Sequence, residues 1–394
     1  MTVPLVQTGL DVLVRDGFEQ LRGLRVGLVA NQASVDRQFR HAADLLSTAD
    51  RVRLGALFGP EHGFGGEAQD LVGVVEALHP EHRCPVISLY GNSVDSLRPP
   101  ADVLRALDLL VIDLPDIGSR YYTFQATMLF CLEAAAAGDM PIVLLDRPNP
   151  LNGVTVEGPT VQPGFVSFVG PHPIPIRHGM TLGELAMLYV AERDIRVALQ
   201  VIPCEGWRRE HYFDETFLPW VLPSPNMPGL DTAIVYPGQC LLEGTNISEG
   251  RGTTRPFEMC GAPWVNGYRL AARLAAQELP GVTFRPITFR PTFHKFVGQI
   301  SGGIQLHVTD RATFRPVRTG LAVLAGFRDE GPAHFRWRTE PYEFVENIPA
   351  IDLLFGDSRE RLALQAGLPL DEVTRRWTED EVAFRARRER FLLY

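Results

Sequence analysis

Lysine is almost missing from this chain. Of 38 basic residues only Lys295 is a lysine, and the rest are arginine. Set against 47 acidic residues, this gives a formal net charge of −9. The surface as a whole therefore repels nucleic acid and anionic membranes, and neither is an expected partner. Cysteine is also scarce. Cys84, Cys131, Cys204, Cys240 and Cys260 are odd in number, widely spaced and include no CxxC pair, which argues against a disulfide scaffold and a thiolate zinc site. No stretch approaches the ~18 uninterrupted apolar residues that span a bilayer; the longest candidate, Leu107–Leu114, is broken by Asp108 and Asp113. Near the N-terminus Asp11 and Asp16 interrupt the apolar positions, with no basic segment ahead of them, so no secretory signal is read there. The expectation is a cytoplasmic protein with reduced thiols. Also lacking are GxGxxG and GxxxxGK[ST], the glycine-rich turns that bring backbone against pyrophosphate. No cofactor is assigned.

The composition that remains is globular: 45% hydrophobic and 22% charged over 394 residues, enough for two domains. In the first 150 residues, short apolar runs alternate with helical segments. The runs are LRVGLVA (24–30), VRLGALF (52–58), PVISLY (85–90), LDLLVIDL (107–114) and PIVLL (141–145). The helical segments lie at 39–48, 101–106 and 123–137. Continuous apolar strands alternating with helices predict an α/β fold, a Rossmann-like doubly wound, mostly parallel sheet covered on both faces. Thr181-Leu-Gly-Glu184 is a capping-box start for a further helix, and 199–202 reads as another strand. The segment 218–228 carries four prolines and cannot be regular structure. The domain boundary is placed there, giving 1–225 and a smaller α+β domain, 226–394. In the latter, 303–308 reads as a strand, 267–278 and 314–327 as helices, and Thr378–Glu381 as a second capping box.

In open α/β sheets ligands bind beyond the carboxyl ends of the strands. Here those ends carry Asn31, then Glu61 and His62, then Tyr90, then Asp113, Asp116, Arg120, Tyr121 and Tyr122, then Asp146, Arg147 and Asn149. The most pointed element is Gly59-Pro-Glu-His-Gly63. Its glycines let backbone approach a ligand, Pro60 fixes the turn, and Glu61 is placed to act as a general acid. His62 reads equally as a structural ring or a participant. A metal site built from Glu61, His62, Asp113 and Asp116 lacks HxH or HExxH spacing, and no metal is assigned. In the second half, the Gly-punctuated loop 243–256 holds Glu243, Asn246, Glu249 and Arg251, a mixture of donors and acceptors suited to sugar hydroxyls. The Pro-framed turn 224–228 presents Asn226.

The motifs GLVANQ, ALFGPEHGF, LDLLVIDLPDIGSRYYT, VLLDRPNPLNG, PIRHGMTLGEL, LPSPNMPGLDTAIVYPGQCLLEGTN, SEGRGTTRPFE and the closing FLLY together resemble the DUF1343 family. That family includes the NamZ-like exo-β-N-acetylmuramidases, and the likeness runs through nearly the whole chain. The resemblance implies a Rossmann-like catalytic domain, a smaller ancillary domain and a cleft between them. It also implies release of terminal N-acetylmuramic acid from peptidoglycan fragments, and puts the family's central glutamate at Glu61. Such a glycosidase needs a second group beside the acid. Asp113, Asp116, Asp146, Glu249 and the substrate's own 2-acetamido group are the candidates. Arg120, Arg147, Arg177 and Arg251 are candidates for pairing with the lactyl carboxylate of muramic acid. Two other readings stay open: a non-catalytic muropeptide-binding protein, and a metal-dependent hydrolase.

Overall fold

The six apolar runs of the first 202 residues all become strands, and the central ones are buried along nearly their whole length. The computed structural model describes residues 5–69 and 77–394. The strands are β1 (Arg25–Ala30), β2 (Arg53–Gly59), β3 (Ala77–Leu78), β4 (Pro85–Ser88), β5 (Leu109–Asp113), β6 (Ile142–Leu145), β7 (Glu157–Thr160), β8 (Pro175–Arg177), β9 (Leu199–Ile202), β10 (Met259–Ala262), β11 (Val282–Phe289) and β12 (Ser301–Val308). The main sheet runs β3-β4-β2-β1-β5-β6-β9. Every pairing within it is parallel except that of the edge strand β3 with β4. Counted along the chain, the parallel strands lie in the order 3-2-1-4-5-6, with the topological switch between β1 and β5.

Both faces of this sheet are covered, as the continuous apolar runs require. Leu110, Ile112, Ile142 and Leu144 pack into one core with the helices Phe124–Ala137 and Leu182–Glu192. Their neighbours Leu109, Val111, Val143 and Leu145 pack on the opposite side with Gly9–Arg15 and Ala42–Thr48. That is the period-two alternation of a strand buried twice. The capping box at Thr181 forms: Glu184 N–H donates to Thr181 Oγ1 (3.2 Å), and Thr181 N–H donates to Glu184 Oε2 (3.0 Å).

The second half is built on the antiparallel sheet β10-β12-β11, with helices Gly267–Ala275 and Pro316–Glu330. The expected capping box at Thr378 does not form. That helix begins at Trp377, and Glu381 instead accepts from the backbone N–H of Gly158 (3.2 Å) in β7. The chain thus ends against the first sheet. Tyr394 donates its hydroxyl to Asp146 Oδ2 (2.7 Å) and accepts from Cys204 N–H (2.7 Å).

Candidate functional site

Strand β2 ends at Gly59, and the chain turns back over it so closely that a Cβ there would lie 2.4 Å from the nitrogen of Phe64. The turn is closed by Gly63 N–H donating to the Pro60 carbonyl (2.9 Å). His62, with φ 72°, occupies the left-handed conformation that such a turn needs at its third residue. A histidine is strained there and must be held. Its Nδ1 stands 2.9 Å from the Ala68 carbonyl, and Ala68 N–H donates to the His62 carbonyl (3.2 Å). Since a carbonyl only accepts, Nδ1 carries the proton and Nε2 keeps its lone pair in the neutral ring.

This geometry turns Glu61 inward, where it is 5% exposed. Thr123, at the N-cap of helix Phe124–Ala137, does not cap that helix with its side chain. Its hydroxyl donates instead to Glu61 Oε2 (2.6 Å), fixing the rotation of the carboxyl group. Glu61 lines a cavity of about 480 Å³, mouth included, together with His62, Tyr121, Tyr122, Asn226, Glu243, Arg251 and Glu343. Aromatic rings form one wall, with Tyr236 edge-on to Tyr121 (5.8 Å), Tyr122 (6.0 Å) and Phe257 (4.7 Å). Burial pushes the phenols of Tyr121, Tyr122, Tyr236 and Tyr342 well up, so they remain protonated donors. Tyr121 donates to the Pro237 carbonyl. Tyr342 donates to Glu243 Oε2 (2.8 Å), whose Oε1 accepts from Arg251 (2.8 Å).

Behind this wall sits Glu249, whose side chain is fully buried. Its Oε2 accepts from Lys295 Nζ (2.9 Å), while Oε1 lies 3.1 Å from His294 Nδ1 and 3.3 Å from Arg251 Nε. Burial pushes this carboxyl up, but the Lys295 charge, His294 and Arg251 together hold it well below the usual range. Glu249 therefore orients Arg251 from behind the cavity rather than lining it.

Several strand-end residues take other work. Asp113 is held in a fork by Arg147 (2.5 and 2.8 Å). Asp146 accepts from Thr181 Oγ1, Gly183 N–H and the Tyr394 hydroxyl, and burial pushes it up to about 6. Asn31 donates to the Pro223 carbonyl (2.8 Å), and Asn149 to that of Met180 (2.9 Å). Arg120 is fully buried and donates to the carbonyls of Pro159, Ile174 and Leu354; burial lowers it to about 10. Arg177 donates to the Leu151 carbonyl. Asn246 bridges His334 O and Arg336 N–H (both 2.9 Å). Asp116 and Arg147 line a separate, largely apolar crevice beside the β1–β5 switch. Of the four arginines proposed from the sequence for the lactyl carboxylate, only Arg251 lines the Glu61 cavity. Among the described residues no group of three His, Cys, Asp or Glu stands ready to hold a metal ion.

Thr123, Tyr236, Tyr342 and Glu343 escaped the sequence reading. Thr123 left a trace there, as a hydroxyl residue at a helix start beyond a strand end. Glu343 left none. It sits in the two-residue turn Glu343–Phe344, closed by reciprocal hydrogen bonds between Tyr342 and Val345 (3.0 Å each). Both central residues have positive φ, 46° and 68°, where Asn-Gly is the usual solution. Glu343 Oε2 accepts from the hydroxyl of Tyr90 (3.0 Å). Because β2 pairs with β4 at Gly59–Ser88, Tyr90 leaves its strand at the same depth as Glu61.

Residues 26–231 match the family model described as exo-β-N-acetylmuramidase NamZ, N-terminal, and residues 234–394 match its C-terminal counterpart. The chain is 42% identical over 391 residues to the peptidoglycan β-N-acetylmuramidase NamZ of Bacillus subtilis (strain 168), covering 99% of this chain and 92% of that one. Two solved DUF1343 family proteins of Bacteroides fragilis NCTC 9343 align over 99% of both chains. Their TM-scores are 0.89 and 0.78, at 32% and 28% identity. With both halves matched and a relative aligned along almost its whole length, the chain belongs to the exo-β-N-acetylmuramidase NamZ family.

Proposed function

We propose that this protein is an exo-acting β-N-acetylmuramidase that removes the terminal N-acetylmuramic acid from peptidoglycan fragments, with Glu61 as its general acid. The observation that carries this reading is the placement of Glu61. It is buried at a strand end, fixed at one oxygen by Thr123, and leaves its other oxygen to a cavity lined by donors, acceptors and aromatic rings. Glu61 gives its proton to the glycosidic oxygen as the bond to C1 breaks and positive charge develops on the ring; the oxygen of water, directly or after the substrate's 2-acetamido oxygen, then bonds to C1 and its proton passes to a carboxylate of the site. Asp113, Asp146 and Glu249 are committed elsewhere and Asp116 lines a separate crevice, so the groups that meet that charge are Glu243 and Glu343 in the cavity wall or the substrate's own 2-acetamido oxygen. Arg251 receives the lactyl carboxylate, held in place from behind by Glu249. We place the protein in the cytoplasm: all five cysteines are buried and unpaired, as suits a reducing compartment. Among the described residues no helix is long and apolar enough to cross a membrane.

The test is turnover of a chromogenic β-N-acetylmuraminide beside the matching β-N-acetylglucosaminide. The protein should cleave only the first, and Glu61→Gln should lose that activity with its fold intact. Saturable binding without turnover would establish the muropeptide-binding reading instead. Near-normal turnover by Glu61→Gln would remove Glu61 from the mechanism.

A further inference from the structure

Two chain segments run from the Glu61 cavity into a second, open groove of about 690 Å³. In one, Val169 lines the cavity and Phe168 the groove; in the other, Glu343 lines both and Phe344 continues into the groove. The groove floor is aromatic. Phe168 lies near-parallel to Phe130 (6.2 Å) and edge-on to Phe344 (6.1 Å). Val94 and Val166 line this groove and stay 49% and 57% exposed. Arg98 and Arg193 line the same groove. The Arg98 guanidinium lies 4.4 Å above the ring of Phe130. Arg98 and Arg193 share a single carboxylate, that of Glu133 (2.8 and 2.7 Å).

Resting on the muramidase reading, we infer that this groove binds the aglycone side of the glycan, with a sugar face on the half-buried ring of Phe344 and the carboxylate of the next muramic acid on Arg98 and Arg193. The argument has three parts. An exo-acting enzyme holds one terminal sugar in its cavity, so the rest of the chain must leave by a path continuous with that cavity. This groove shares Glu343 with it. The substrate alternates neutral and carboxylate-bearing sugars, so an anion recurs on every second residue, one sugar beyond the first aglycone unit. The groove offers the matching sequence, an apolar ring surface near the junction and guanidinium groups on the same floor. Finally, Glu343 and Phe344 adopt left-handed backbone that neither residue favours, strain that places one side chain at the junction and the other in the groove.

The experiment compares kcat/KM of the full chain on three substrates: the chromogenic monosaccharide, the disaccharide of N-acetylmuramic acid and N-acetylglucosamine, and the tetrasaccharide of two such units. Wild type should favour the tetrasaccharide over the disaccharide by about tenfold, the worth of one charge-assisted contact. Arg98→Gln and Arg193→Gln should each cut that preference, and the double variant should abolish it while leaving the monosaccharide rate unchanged. The two side chains are 39% and 34% exposed and both pair with Glu133, so a circular dichroism spectrum and a melting curve of each variant accompany the kinetics to confirm an intact fold. Equal rates on the two oligosaccharides in wild type, or a preference that survives in the double variant, overturn the groove assignment and leave the muramidase reading standing. Failure to cleave the monosaccharide overturns both.

Discussion

Replacing Lys295 with methionine removes the one lysine from a chain of arginines, and the structure sets the cost. Lys295 Nζ donates to the Leu242 carbonyl (3.1 Å), the Ile247 carbonyl (3.0 Å) and Glu249 Oε2 (2.9 Å). Three acceptors around one nitrogen suit a tetrahedral ammonium and not a planar guanidinium. Breaking a buried ion pair by deleting one partner costs roughly 3–5 kcal/mol. The lower end applies here, because Glu249 keeps His294 and Arg251, and the Leu242 carbonyl still accepts from Thr245 N–H (3.0 Å) and Oγ1 (2.8 Å). The loss is then about 3 kcal/mol, which at a urea slope of about 3 kcal/mol/M lowers the unfolding midpoint at pH 7 by about 1 M. Lys295→Arg keeps the charge but loses the geometry, and should recover less than half of the loss. The pH dependence adds a second constraint. A carboxyl held low in the folded state stabilises the protein above its ordinary value of 4.5, and that contribution fades as pH falls. The gap between wild type and Lys295→Met should therefore narrow below about pH 4.5. An unchanged midpoint at pH 7, or a gap that widens in acid, would refute the reasoning.

Thr123→Val should lower kcat on the chromogenic muraminide by between about tenfold and a hundredfold with little change in KM, because Glu61 loses its orienting donor. Thr123→Ser should restore the rate, and a Val variant as active as wild type would show that the contact does not matter. Asp146 gives a pH signature of opposite sign to Glu249. Its folded value is raised from 3.8 to about 6, so the folded state holds the proton more tightly, and stability falls by about 2–3 kcal/mol as pH rises through that window. Asp146→Asn should flatten the slope in thermal melts between about pH 4 and 6; an identical slope would mean that another group sets it.

The fold was legible because its signals are local. Short apolar runs rich in β-branched residues and bounded by turns suit strands buried on both faces, and five such runs interspersed with helices leave few topologies. The cap at Thr181 was legible for the same reason. The one at Thr378 was not, because a distant backbone donor, Gly158, claimed Glu381. No cap motif in the sequence reports such competition. Glu61 was legible because the glycines of its turn and its position after β2 both lie within seven residues. Glu343 could not be, since the segment carrying it meets the cavity only after the second half has folded back over the strand ends.

The arginines show why polar strand ends over-predict a site. A buried polar group must find a partner, whatever its neighbours in sequence promise. The Gly- and Pro-rich stretch after residue 150 forms little regular structure, and its carbonyls lack the partners a ladder would supply. Arg120 answers those of Pro159 and Ile174, Arg177 that of Leu151, Arg387 that of Pro173, and Arg388 those of Val154, His178 and Gly179. A guanidinium directs five donors in a rigid fork, which lets one side chain satisfy two or three carbonyls of an irregular loop at once. Placed at a strand end, such an arginine looks from sequence like an anion receptor, yet its donors are already committed to backbone. Arg251 meets carboxylates instead of carbonyls, Glu243 on one side and Glu249 on the other, as Arg147 meets Asp113, but of these two only Arg251 lines the Glu61 cavity. What separates a binding arginine from a structural one is therefore what its donors face and which cavity its side chain lines: Arg251 takes its carboxylates from within 8 residues, whereas Arg120 and Arg388 reach carbonyls 234 and 210 residues away.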